Sequence, residues 1–141
     1  MGTPRHILVG TDFSEASQSA LETARDLARA VDAKLTLLHV YPAGLDALGP
    51  QVGVEQRMSI GRDVHEALAK LKDRAHGVTN LHTEIIENGS PAAAICDYAA
   101  AHQVDLIVVG SHGYGAAKRF LLGSVAERVV RHASCAVLIA R

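Results

Sequence analysis

Five short apolar runs rich in β-branched residues alternate with helical patterns, and this alternation restricts the fold more than any other feature of the chain. The runs are His6-Ile7-Leu8-Val9-Gly10, Leu35 to Val40, Thr83 to Glu87, Leu106-Ile107-Val108-Val109 and Ala136-Val137-Leu138-Ile139-Ala140. The first helical pattern places Ala20, Leu21, Ala24, Leu27, Ala28 and Val31 on one face behind Ser14, a suitable N-cap. The second carries Ile60, Val64, Leu68, Leu71 and Ala75 at the same period. Ser90-Pro91 opens the third, with serine as cap and proline at the first helical position. Ser124-x-x-Glu127 spells a capping box at the start of the fourth. Tyr41 to Gly53, rich in proline and glycine, reads as a mobile loop.

Strands that are apolar throughout must be buried on both faces, so helices are expected on both sides of a mostly parallel sheet. Right-handed crossovers then reduce the topology to a doubly wound α/β domain over residues 1–141. Such a sheet takes its ligand at the carboxyl ends of the strands, where strand order reverses. If strands 1 and 4 flank that point, Gly10-Thr11-Asp12 and Gly110-Ser111-His112-Gly113 meet in space.

At 141 residues the chain builds one substantial core without staples. A net charge of −1 argues against non-specific binding to nucleic acid or an anionic membrane, so neither is an expected partner. No apolar export segment or membrane-length run occurs, which predicts a cytoplasmic protein. The two cysteines, Cys96 and Cys135, are expected as packed, reduced thiols.

The residues that carry chemistry follow strand 4. From Gly110 to Ser124 the skeleton is Gly, two residues, Gly113, nine residues, then Gly123-Ser124 at a helix start. Glycine lets backbone turn sharply and approach an anion without a Cβ between them. A helix N-terminus offers unpaired N–H groups and a partial positive charge, which suits phosphate. Ser124 adds a hydroxyl, and Lys118 and Arg119 add positive charge. The same glycines could instead merely shape a surface loop, and Asp12 could simply cap the next helix. Other motifs fail. No Walker A pattern occurs, Gly113-x-Gly115 lacks the third glycine of a dinucleotide fingerprint, and His65-Glu66 does not reach a second histidine at the spacing of a zinc protease. No catalytic residue or metal ligand set is legible.

The chain resembles the universal stress proteins of the ATP-binding branch, whose signature is this Gly-x2-Gly-x9-Gly-[Ser/Thr] spacing. The likeness runs the whole length. It includes Val9-Gly10-Thr11-Asp12-Phe13-Ser14, Leu37-Leu38-His39-Val40, Gly89-x-Pro91-Ala92, Val108 to Gly113 and Leu122 to Val129. It implies that Asp12 and the backbone of Val40 hold the adenosine end, with Gly110, Gly113, Gly123, Ser124 and Val125 around the phosphates. Thr11, Val109 and His112, set in the same motifs, complete the expected site. ATP carrying Mg²⁺ is the implied ligand and a nucleotide-dependent stress-response module the implied function. The alternatives are a slow ATPase and a dimeric adaptor without nucleotide. One departure is Cys135-Ala136-Val137, where the family often has Cys-Pro-Val.

The strand order expected for such a chain is 3-2-1-4-5, which leaves strands 3 and 5 at the edges. Glu84 and Glu87 protect the former, whereas residues 136–140 carry no charge. An unprotected apolar edge is an aggregation hazard, so a homodimer built on strand 5 is expected, as the resemblance also implies.

Overall fold

The computed structural model describes residues 2–41, 54–112 and 122–141, with backbone alone over 54–60. Gly113, Lys118, Arg119 and all of the expected loop except Tyr41 therefore lie outside the described residues. The elements run β1 (His6–Thr11), α1 (Glu15–Val31), β2 (Lys34–Tyr41), α2 (Val54–Arg74), β3 (Leu81–Glu87), α3 (Pro91–Ala101), β4 (Leu106–Gly110), α4 (Ser124–His132) and β5 (Ala136–Ala140). The five strands form one parallel sheet in the order β3-β2-β1-β4-β5.

Strand alternation divides the core into two layers. Ile7, Val9, Leu35, Leu37, Leu106 and Val108 face α1 and α2, where Leu21, Ala24 and Leu68 meet them. Leu8, Leu38, Ile107 and Val109 face α3 and α4, against Ile95, Tyr98, Ala126 and Val129. Ile7, Leu8 and Val9 have no solvent exposure. Burying each such side chain contributes about 1.5–3 kcal/mol, which is why adjacent residues of one strand both had to be apolar.

Ser14 caps α1, its hydroxyl accepting from the Ser17 amide at 3.3 Å. Ser90 caps α3 in the same way through Ala93, with Pro91 in the first turn. The expected capping box on α4 is not formed. Gly123 is the N-cap of that helix and no side chain caps it, while Glu127 pairs with Arg131 at 2.8 Å. Serine sits one residue too late, inside the first turn, where its hydroxyl is not the capping group. Tyr41 is also not loop but the last residue of β2, paired in register with Glu87. β3 starts at Leu81, two residues before the apolar run, because its edge position leaves Leu81, His82 and Thr83 wholly or partly exposed.

β1 lies between β2 and β4, so the chain winds one way through α1 and the other way into β4. The carboxyl ends of β1 and β4 part above this switch point and open a crevice. Among the described residues, no helix is long and apolar enough to cross a membrane.

Candidate functional site

The crevice holds a cavity of about 300 Å³. Gly10, Thr11 and Asp12 enter it from the end of β1, Leu38 and Val40 from β2, Val109 and Gly110 from β4. His112 follows β4, and Gly123, Ser124, Val125 and Ala126 close the far side at the start of α4. Pro91 and Ile95 line it from α3, and Ser17 from α1. Every described residue of the expected site is thus brought to one cavity, and Gly113 lies outside the description. Composition and motif spacing missed Leu38, Pro91, Ile95 and Ser17. Pro91 stands in the Gly89-x-Pro91-Ala92 match, and helical period then adds Ile95, one turn beyond it.

The β1–α1 turn satisfies its polar groups internally. Ser17 donates its hydroxyl to the Ser14 carbonyl at 2.8 Å, which leaves Thr11 to donate to the Ser17 oxygen at 3.1 Å. The Thr11 oxygen in turn accepts the Phe13 amide at 3.0 Å. Thr11 therefore shapes the cavity wall, with its hydroxyl hydrogen already committed. Asp12 is exposed and holds the Ser14 amide through Oδ1 at 2.9 Å, so its other carboxylate oxygen is open to a ligand.

The opposite wall has a different character. Ser111 is anchored by its amide to the Ala140 carbonyl at 2.9 Å, and its hydroxyl meets Nδ1 of the exposed His112 at 2.9 Å. α4 then begins without a capping side chain. The amides of Ser124, Val125 and Ala126 are its first-turn orphans, and all three residues line the cavity. Serines cap α1 and α3 beside the same crevice, so among the described residues α4 alone presents an uncapped N-terminus there. That arrangement suits an anion.

Two glycines of the motif serve different ends. A Cβ on Gly110 would stand 2.8 Å from the backbone carbon and oxygen of Ala16, so this glycine lets α1 pack closely on β4. A Cβ on Gly123 would stand 3.0 Å from the His112 Cα and 3.3 Å from the Ser111 oxygen, at the neck of the cavity wall. No group of three or more His, Cys, Asp or Glu suited to a metal occurs among the described residues.

A model described as the universal stress protein family matches residues 3–141. The chain belongs to the universal stress protein family. A universal stress protein of Methanocaldococcus jannaschii is 36% identical over 143 residues, covering 97% of this chain and 82% of the relative. One from Bacillus subtilis is 33% identical, covering 96% of this chain and 97% of the relative. Among solved structures, the universal stress protein UspA from Lactobacillus plantarum superposes with a TM-score of 0.85 at 31% identity, covering all of both chains. A universal stress protein solved in complex with cAMP gives a TM-score of 0.76 at 27% identity, covering 99% of this chain and 98% of that one.

Proposed function

We propose that this universal stress protein binds an adenine nucleotide, ATP carrying Mg²⁺, and acts through occupancy of the site as a regulatory or protective module. The observation that carries the reading is the cavity at the switch point, apolar on one side and bounded on the other by an uncapped helix N-terminus. Leu38, Val40, Pro91, Ile95 and Val109 offer an aliphatic slot for a base. Asp12 offers a free carboxylate oxygen for ribose hydroxyls or an adenine amine. The first-turn amides of α4, with the Ser124 hydroxyl, suit phosphate oxygens, and charge-assisted bonds of this kind contribute about 1.5–3 kcal/mol each. The relative solved with cAMP supports an adenine nucleotide as the ligand class. Mg²⁺ arrives on the phosphates in this reading, because Asp12 is the only carboxylate among the described lining residues.

Purified protein is heat-denatured, the released small molecules are separated by chromatography, and nucleotide-free protein is titrated with MgATP in a calorimeter. Saturable binding at one site per chain is expected, with a melting temperature that rises with ligand. A flat titration of folded, nucleotide-free protein would remove the reading.

We also propose a homodimer built on β5. This strand lies at the edge of the sheet, and its residues Ala136 to Ile139 remain half-buried in the single chain.

A further inference from the structure

Phe13 has φ of 66°, the left-handed region, and stands between Asp12 of the cavity and Ser14, the cap of α1. A bulky residue there is strained and persists only where its surroundings hold it. The Phe13 amide is held by the Thr11 hydroxyl and its ring packs on the core layer, and a further hold comes from the neighbouring strand. His39 of β2 is buried, with 8% of its surface exposed, and pairs in register with Thr11 at the end of the β1–β2 ladder. Its Nδ1 lies 2.8 Å from the Thr11 carbonyl oxygen. A carbonyl only accepts, so Nδ1 carries the hydrogen and donates it. The His39 ring also packs on the Phe13 ring, centroids 4.4 Å apart and planes inclined by 37°. One imidazole thus grips the turn at two points either side of Asp12.

We propose that His39 is a positioning residue for the ligand site, holding the Thr11-Asp12-Phe13 turn so that the Asp12 carboxylate is presented to the adenosine end of the nucleotide. The inference rests on the nucleotide-binding reading and adds to it a residue outside the cavity. His39 is not among the lining residues. Its effect passes through backbone. The Thr11 carbonyl and the Phe13 ring are fixed, the strained φ is maintained, and the bond from the Ser14 amide to Asp12 Oδ1 keeps its geometry. Without the imidazole, the Thr11 carbonyl loses a buried donor and Phe13 loses a ring contact, so two of the restraints on the turn beside Asp12 are gone.

The test compares three substitutions by MgATP calorimetry, with a thermal melt of each to confirm folding. His39→Asn places an amide nitrogen where Nδ1 stands and restores the donor. His39→Gln places its amide one bond too far, and His39→Leu has no donor at all. Affinity in the Asn variant is expected to fall less than in the other two, because the bond to the Thr11 carbonyl returns while the ring contact with Phe13 does not. The Gln and Leu variants are each expected to weaken MgATP about tenfold, or about 1.4 kcal/mol. Because His39 acts through Asp12, the loss is expected to shrink to about twofold when the same substitutions are made on an Asp12→Ala background. If His39→Leu does not fold, the Asn and Gln pair carries the comparison. A wild-type protein that binds, with Gln and Leu variants that bind equally well, would overturn the assignment of His39 alone. So would a loss of full size on the Asp12→Ala background, which would mark His39 as purely structural. A folded wild-type protein that binds no MgATP would overturn the nucleotide reading and this assignment together.

Discussion

Gly123 donates its amide hydrogen to the carbonyl of Ser111 at 2.6 Å, joining the residue after β4 to the residue before α4. The bond fixes where the helix N-terminus stands relative to the sheet. Gly123 itself has φ of −64° and ψ of 160°, a conformation open to any residue. Its requirement for glycine is therefore one of space, set by the backbone of His112 and Ser111.

Gly123→Val is expected to weaken MgATP strongly while leaving the fold in place. The added Cβ meets backbone and not a flexible side-chain end, so the neck must open and the α4 amides move away from the phosphates. A shift costing about 1.4 kcal/mol of binding appears as a tenfold loss in a calorimetric titration. Unchanged affinity in a folded variant would assign the glycine to loop shape alone.

Gly110→Ala is expected to act on stability first. Its Cβ would press on the Ala16 backbone at 2.8 Å and push α1 off β4. Overpacking of this kind costs about 1–3 kcal/mol. Chemical denaturation of the nucleotide-free protein should show the loss. A variant as stable as wild type would mean that α1 yields easily there.

Ser124→Ala separates ligand contact from helix capping. A capping-box serine would cost about 1 kcal/mol when replaced, but here Gly123 holds the N-cap position. Stability should stay within about 0.5 kcal/mol of wild type, the range of substitutions that disturb no special feature. Nucleotide affinity is expected to fall. A stable protein with full affinity would show that the hydroxyl contributes nothing to binding.

These glycine and serine cases show where a sequence is legible and where it stops. Apolar runs and helix caps are legible as strands and helices because burial and capping follow local pattern, whereas the strand order that brings the motif residues to one cavity is a matter of topology. The distinction between Gly110 and Gly123 depends on which backbone passes within 3 Å, and no spacing carries that. By spacing Ser124 is a cap, because Glu127 lies three residues on. In the folded chain Arg131, one turn away, holds that glutamate instead. His39 read as one more residue of a buried strand, and only the tertiary pairing of β1 with β2 sets it against the strained Phe13 turn.

Acidification is expected to destabilise the protein partly through His6. This residue is 7% exposed, with Nε2 at 2.8 Å from the Thr36 hydroxyl and Nδ1 at 3.2 Å from the His102 carbonyl. Burial pushes its imidazole below the ordinary value of 6.5, with Lys34 and His102 acting in the same direction. The bond to the His102 carbonyl and the charge of Asp105 oppose the shift without cancelling it. Below pH 6.5 the unfolded chain therefore binds the proton more readily than the folded one. Stability is full above that value and declines as pH falls, until the folded imidazole also titrates. Asp105 acts in a separate window. Bonds from the Arg5 and His6 amides lower its carboxyl from 3.8, so its contribution is lost only in stronger acid. Thermal midpoints measured from about pH 7.5 to about pH 5.5 should fall less steeply in His6→Gln than in wild type. Parallel slopes would clear His6 of any part in the acid response.

Assembly through β5 is best tested at the backbone. The Ala140 carbonyl accepts from Ser111 on the β4 side, so by strand alternation the backbone groups of Ala136 and Leu138 also face β4. Those of Val137 and Ile139 face outward, where a second copy would pair. Leu138→Lys is a poor probe, because the Leu138 side chain packs on the core layer beneath α1 and a lysine there would test folding. Val137→Pro removes one outward N–H and leaves the β4 ladder intact, a substitution that edge strands accept. Light scattering coupled to size exclusion should give twice the chain mass for wild type and a shift toward monomer for Val137→Pro, with the melt showing a folded variant. A wild-type monomer at high micromolar concentration would defeat the dimer. A dimer untouched by Val137→Pro would place the contact on another face of the molecule.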